Sequence, residues 1–210
     1  MNTNSKKKII IATGGTGGHI FPAYSLAKNF IEHNYSVEII SDKRGLKYLE
    51  KNQNIKLILN NSATIYKKNF INFFLSILMI FVSYIKSLVI LYRAKPALVF
   101  GMGGHASFPV CIAAKTLSIP FIIYENNIQI GKSNKYLLPF ASKIFVSYPG
   151  VDGIKNKYDH KIIITGNIIR KEILNFKKNN QFTPETLNIL VLGGSQAAKS
   201  FGEFLPKVFE

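Results

Sequence analysis

Short apolar runs rich in β-branched residues alternate with longer stretches of helical spacing along most of the chain. Lys8–Thr13, Ser36–Ile40, Ile55–Leu59, Ala97–Phe100, Phe121–Tyr124, Lys143–Val146 and Ile162–Thr165 read as strands. Phe21–Asn34, with apolar positions at Tyr24, Leu26, Ala27, Phe30 and Ile31, reads as a helix. So do Leu46–Asn52, Phe108–Leu117 and Lys132–Phe140. Apolar runs without polar alternation are the mark of strands buried on both faces. Alternating with helices, they predict an α/β fold built on a parallel sheet.

One stretch departs from this rhythm. Phe70–Tyr92 has apolar residues at nearly every angle of a helix, and the 16 residues from Phe70 to Ile85 contain no charge. Lys67 and Lys68 precede it, and Lys86, Arg93 and Lys95 punctuate or follow it. The uncharged run is below the roughly 20 residues that span a bilayer, and Asn72, Ser76 and Ser83 interrupt it. A helix apolar all round is buried or faces lipid. Three readings stay open: an exposed apolar face on an anionic membrane surface, a buried helix, and a true span.

Residues 176–186, with two lysines, two asparagines and a proline, read as a linker. A new apolar strand at Leu187–Leu192 then meets Gly193-Gly194-Ser195-Gln196 and a helical pattern. The expected division is a first domain over 1–175, the linker, and the opening of a second α/β domain over 187–210. One strand and one helix do not bury a core of their own.

The chemistry concentrates in two glycine loops that follow strands. The first, Gly14-Gly15-Thr16-Gly17-Gly18-His19, leads into a helix with Pro22 expected in its first turn, where its missing N–H costs nothing. Glycines let backbone approach a phosphate, and a helix N-terminus offers free N–H groups and a positive dipole end. No Lys-Ser/Thr pair follows, so this is not a nucleotide P-loop. The third glycine of a dinucleotide fingerprint falls at Ile20, leaving only Asp42 to support a nicotinamide reading. The second loop is Gly101-Met102-Gly103-Gly104-His105. In a parallel sheet the carboxyl ends of the strands share one edge, so His19, the 101–105 loop, Glu125-Asn126-Asn127 and Arg170 are expected in one crevice. His19 there is either a helix-start histidine bonded to backbone or a general base.

Composition narrows the classes. Apolar residues make up 47% of 210, enough for a packed core. A single cysteine, Cys111, excludes an internal disulfide framework and fits a reducing compartment. Lys6-Lys7-Lys8 precedes an apolar run too short for a signal peptide, so the N-terminus is expected to stay cytoplasmic. The net charge of +16 calls for nucleic acid, an anionic membrane or phosphorylated substrates. The lysines are dispersed and no nucleic-acid module is present, so nucleic acid is not expected.

The first glycine run resembles the opening of the MurG family, Gly-Gly-Thr-Gly-Gly-His with a proline three residues on. The resemblance continues through Gly101-Met102-Gly103-Gly104, Glu125-Asn126-Asn127, Asn134-Lys135, Gly166-Asn167 with Arg170, and Gly193-Gly194-Ser195-Gln196. It implies a GT-B fold: an N-terminal Rossmann-like domain and the first βα unit of a second. It implies an inverting, metal-independent transfer of N-acetylglucosamine from UDP-GlcNAc to lipid I, giving lipid II for peptidoglycan, by a peripheral enzyme on the cytoplasmic face of the bacterial inner membrane. No cofactor is implied, and no Asp-x-Asp metal motif exists in the chain. By resemblance His19 is the base for the acceptor hydroxyl, and Thr16, Gly17, Gly18, Asn127, Arg170 and Ser195 bind the donor. Gly14, Gly15, Gly103 and Gly104 suit the acceptor diphosphate, Glu125 supports them, and Phe70–Tyr92 meets the anionic membrane surface.

Departures from the family pattern are Tyr124-Glu125-Asn126-Asn127 for His-Glu-Gln-Asn, His105 for Tyr, and Ala197-Ala198 for Gly-Ala. Because most of a donor-binding domain is absent from the 210 residues, this chain alone is not expected to turn over. The alternative is a non-catalytic membrane-associated subunit that needs a donor-domain partner, as in two-subunit UDP-GlcNAc transferases of the dolichol pathway.

Overall fold

A computed structural model describes residues 6–49, 55–62, 70–175 and 202–209. In chain order the elements are β1 (Lys8–Ala12), α1 (Gly17–Glu32), β2 (Ser36–Ser41), α2 (Lys43–Leu46), β3 (Lys56–Leu59), α3 (Phe70–Ala94), β4 (Leu98–Gly101) and α4 (Ser107–Thr116). They continue with β5 (Phe121–Glu125), α5 (Lys132–Leu137), β6 (Lys143–Val146), a 3₁₀ turn at Asn156–Lys161, β7 (Ile162–Ile164), α6 (Lys171–Leu174) and α7 (Pro206–Phe209). Two compact units result, Met1–Leu174 and Asn175–Glu210. The linker residues 176–186, the strand Leu187–Leu192 and Ser195 lie outside the described residues.

The seven strands form one parallel sheet in the order β3-β2-β1-β4-β5-β6-β7. Successive side chains of a strand point to opposite faces, so one strand feeds two cores. Ile10 and Ala12 join Val99, Ile123, Leu91 of α3, Val110 and Ala114 of α4 and Leu137 of α5 on one face. Ile9 and Ile11 join Ile39, Phe100 and the Ile20, Ala23 and Ala27 face of α1 on the other. The sheet is therefore covered on both sides, which is why its strands carry no polar alternation.

Three boundaries differ from the sequence pattern. α1 starts at Gly17, inside the glycine run, because nothing in Gly17-Gly18-His19-Ile20 opposes helical dihedrals. Pro22 therefore falls in the second turn and not the first. α2 starts at Lys43, before the expected Leu46, because Asp42 Oδ1 accepts the Gly45 N–H at 2.8 Å and caps it. α5 ends at Leu137, short of Phe140.

Tyr124 of β5 ties the end of β6 to the segment that follows β7. Its buried hydroxyl accepts from the Ile168 N–H (3.1 Å), donates to the Gly166 carbonyl (3.3 Å) and hydrogen-bonds with the Ser147 hydroxyl (2.8 Å). Tyr124→Phe leaves the Ile168 N–H without its acceptor and is expected to cost about 1–3 kcal/mol. A urea midpoint that stays at the wild-type value would contradict this.

α3 is inverted relative to a soluble helix. Ser76, Ser83, Ser87 and Leu91 are its buried residues, spaced to share one face. Phe70 is 83% exposed, Phe74 62%, Phe81 57% and Tyr92 70%. The inward face is held by polar contacts: Asn60 Nδ2 donates to the Ser83 carbonyl (3.1 Å) and to Ser87 Oγ (2.8 Å), and Ser87 Oγ donates to the Ser83 carbonyl (2.7 Å). The helix has 25 residues, long and apolar enough by length and composition to cross a membrane. Its contacts with α4 and Asn60 nevertheless keep one side on the sheet domain, so it is neither wholly buried nor free of the fold.

Candidate functional site

β1 is flanked by β2 on one side and β4 on the other. Chain connections leave the sheet in opposite directions at this point, and that geometry opens a crevice beyond the strand ends. The two glycine loops fill its floor. The Met102 N–H donates to the Ala12 carbonyl at 2.8 Å. Gly103 and Gly104 then turn the backbone at φ of 88° and 80°, in the region that favours glycine. A Cβ on Gly104 would overlap the Gly14 carbonyl oxygen, and one on Gly103 would stand 2.9 Å from the His19 ring. Glycine at these two positions lets the loops touch each other and lets His19 lie across the second.

His19 thus sits in the first turn of α1 against the 102–104 backbone. Its Nδ1 is buried and makes no well-formed hydrogen bond. Burial lowers the imidazole pKa below its usual value, against the opposing pull of the Glu125 carboxylate and the Met102 backbone. A neutral ring near neutral pH is the form that accepts a proton.

A cavity of about 210 Å³ opens here, lined by His19, Gly103, Gly104, His105, Glu125, Asn127, Lys132 and Asn134 among others. Glu125 is buried, and both its oxygens are engaged. Oε1 accepts from Asn127 N (3.1 Å) and Nδ2 (2.8 Å), and Oε2 from Gly131 N (2.8 Å) and Asn134 Nδ2 (3.0 Å). A carboxylate with four donors organises a loop; it has no lone pair left over for a substrate proton. Asn126 bonds to the first glycine turn. Pro22 lacks the N–H that would bond to the carbonyl four residues back, and Asn126 Nδ2 takes that Gly18 carbonyl at 3.0 Å. A proline that interrupts α1 thereby joins the 125–127 loop to the glycine turn.

Asp42 does not stand free at the end of β2. Its carboxylate accepts from Gly45 N, from Gly15 N at 3.3 Å and from Arg44 at 3.0 Å. It braces the first glycine loop instead of facing a ribose, so the nicotinamide reading loses its one acidic residue.

Of the predicted residues, Gly14, Gly15, Gly103, Gly104, His19, Glu125 and Asn127 come together. Thr16 caps α1 without a side-chain bond, and no acidic residue occupies the first turn, so the N–H groups of Gly17 and Gly18 have no helical acceptor. Arg170 is not in the His19 cavity. Its guanidinium lies 4.8 Å above the Phe21 ring, in a separate groove of about 710 Å³ with Tyr24, Lys28, Tyr48 and Lys171. Pairs Lys171–Glu32 and Lys28–Glu172 hold that segment along α1. Among the described residues no group of three His, Cys, Asp or Glu side chains is placed to hold a metal ion.

Three roles are not read from the sequence. Asp42 was detectable as an N-cap from its spacing to Gly45. Lys132 sits on a short helix with nothing local to mark it. The partnership of Asn126 with Pro22 spans too much sequence to be visible in either residue.

Residues 9–146 match the model of the glycosyltransferase family 28 N-terminal domain. A Rickettsia canadensis protein named UDP-N-acetylglucosamine–N-acetylmuramyl-(pentapeptide) pyrophosphoryl-undecaprenol N-acetylglucosamine transferase is 37% identical over 206 residues, covering 95% of this chain and 55% of the relative. A Pelagibacter ubique protein of the same name is 36% identical over 200 residues, with 95% and 55% covered. The crystal structure of Acinetobacter baumannii MurG superposes with a TM-score of 0.73 at 25% identity, covering 97% of this chain and 57% of that one. The chain spans about half the length of the curated relatives it matches.

Proposed function

The chain belongs to glycosyltransferase family 28, whose N-terminal domain it carries, and from that premise we propose that it forms the acceptor-binding half of an enzyme moving N-acetylglucosamine from UDP-GlcNAc to a muramyl diphosphate lipid. The observation that carries the reading is the pair of interlocked glycine loops with His19 lying across them at the β1–β4 switch point. An inverting transfer needs a base that removes a proton from the attacking hydroxyl, and a leaving diphosphate needs donors. His19, whose pKa burial lowers so that the ring is neutral near neutral pH, is the base. The N–H groups of Gly17 and Gly18 at the start of α1 and of Gly103 and Gly104 in the second turn supply donors to phosphate oxygens. Glu125 holds Asn127 toward the donor sugar without itself taking a proton. Arg170, fixed over Phe21, reaches the nucleotide side from its own groove. Ser195 is assigned the same nucleotide contact by family resemblance.

Titration calorimetry of the 210-residue chain with a water-soluble N-acetylmuramyl diphosphate alkyl ester tests this. Saturable binding that exceeds binding of UDP is the expected result; no binding at millimolar ester overturns it.

The outward face of α3 is proposed to rest on the cytoplasmic surface of an anionic bilayer, with Arg93 and Lys95 beside it. Burying a large apolar side chain contributes about 1.5–3 kcal/mol. Replacing both Phe74 and Phe81 by Glu is therefore expected to weaken partitioning onto phosphatidylglycerol vesicles roughly a hundredfold or more. Co-sedimentation unchanged by the double substitution would remove α3 from the membrane contact.

A further inference from the structure

The wall of the His19 cavity is rich in hydrogen-bond donors and has no free carboxylate. His105, half-buried at the end of the second glycine turn, and Lys132, at the start of α5, line it beside His19. The carboxylates within reach are already committed. Glu125 is saturated by its own loop, and Asp42 is turned to Gly15, Gly45 and Arg44. Cationic or protonatable side chains without a carboxylate partner, around a space of about 210 Å³, form a receptor for an anion with several acceptor oxygens.

We propose that His105 and Lys132 clamp a phosphate group of a diphosphate ligand at the mouth of this cavity, and that the phosphate is bound together with a proton taken up by His105. The inference rests on the acceptor reading above and adds to it two ligand residues and a proton. The charged and titratable groups facing His105 are Asp42 and Arg44 from the β2–α2 junction, His19 from α1 and Lys132 from α5. Burial and the three cationic or protonatable neighbours lower the His105 pKa, and Asp42 alone opposes them. These surroundings favour a neutral His105 at neutral pH. A phosphate placed between His105 and Lys132 reverses the local field and favours the imidazolium, whose charge-assisted bond is the stronger one. By linkage, affinity for phosphate rises as pH falls.

The test is calorimetry of the full 210-residue chain with a symmetrical dimethyl diphosphate diester, whose own charge is constant across the range. The wild-type chain is expected to bind about tenfold more tightly at pH 5.5 than at pH 8. His105→Gln and His105→Tyr should both flatten that dependence. Lys132→Ala should weaken binding several-fold at every pH and leave its slope intact. A pH slope that survives in both His105 variants and disappears in His19→Asn overturns the clamp. Parallel titrations with the muramyl diphosphate ester and with UDP separate the two readings. A His105-dependent slope with the ester is expected. The same slope with UDP alone would move the clamp to the nucleotide and overturn the acceptor assignment, while loss of slope with every probe would overturn only the clamp.

Discussion

Gly104→Ala is expected to be the most damaging single-methyl change in the sheet domain, lowering stability by about 3 kcal/mol or more. Two penalties coincide there. The backbone stands at φ 80°, and the added Cβ would meet the Gly14 carbonyl oxygen, a backbone atom that cannot swing aside. Relief requires the two glycine loops to separate, which also pulls apart the floor on which His19 rests. Gly150→Ala is the matched control: its φ is 68°, but a Cβ there meets nothing within 4 Å, so only the backbone term of about 1 kcal/mol remains. For a chain of this size the difference is roughly 4–8 °C in Tm. Equal melting temperatures for the two variants would mean that the loops do not interlock.

His19→Ala should be the most damaging change for chemistry. If the proposed role holds, in a chimaera that joins residues 1–174 to the second domain of a family 28 relative, loss of a positioned general base is expected to reduce kcat by about 10²–10⁴ with a smaller effect on acceptor KM. The pH profile is the sharper readout. Burial depresses the His19 pKa below 6.5, so the ring stays neutral and able to accept a proton down to that lower pH. The acid limb of kcat/KM should therefore have its midpoint below 6.5 in the wild type and vanish in the variant. A kcat that is unchanged in His19→Ala would assign the base elsewhere.

The parts legible in the sequence share a physical cause. Strands buried on both faces leave continuous apolar runs, so Ile9-Ile10-Ile11 points to a covered parallel sheet and, with it, a common edge for the loops; Ile162-Ile163-Ile164 reads the same way but is the edge strand β7, with Ile163 and Ile164 exposed. The glycine clusters were legible because few conformations other than a tight phosphate-type turn need so many glycines. Boundaries were harder. Pro22 looked like a first-turn residue because proline is favoured there, yet α1 begins five residues earlier and the lost N–H is offset by Asn126 from across the sheet. Sequence pattern alone groups Arg170 with His19, because both follow strands of one sheet. Strand order sets an edge but not a position along it, and the bulk of Phe21 holds Arg170 in the neighbouring groove. The orientation of α3 was hidden for a different reason: its serines read as interruptions of an apolar helix, whereas they are the face that packs.

That inward serine face has a calorimetric consequence. The heat capacity of unfolding grows with the apolar surface newly exposed to water, and the Phe and Ile side chains of α3 are already wet in the native protein. Melting the helix adds little there, so the chain should show a smaller heat-capacity step, and a flatter stability curve, than its composition suggests. Detergent or lipid that covers α3 in the native state makes the same side chains count again. It should raise the melting temperature with concentration, by mass action, and steepen the curve as it does so.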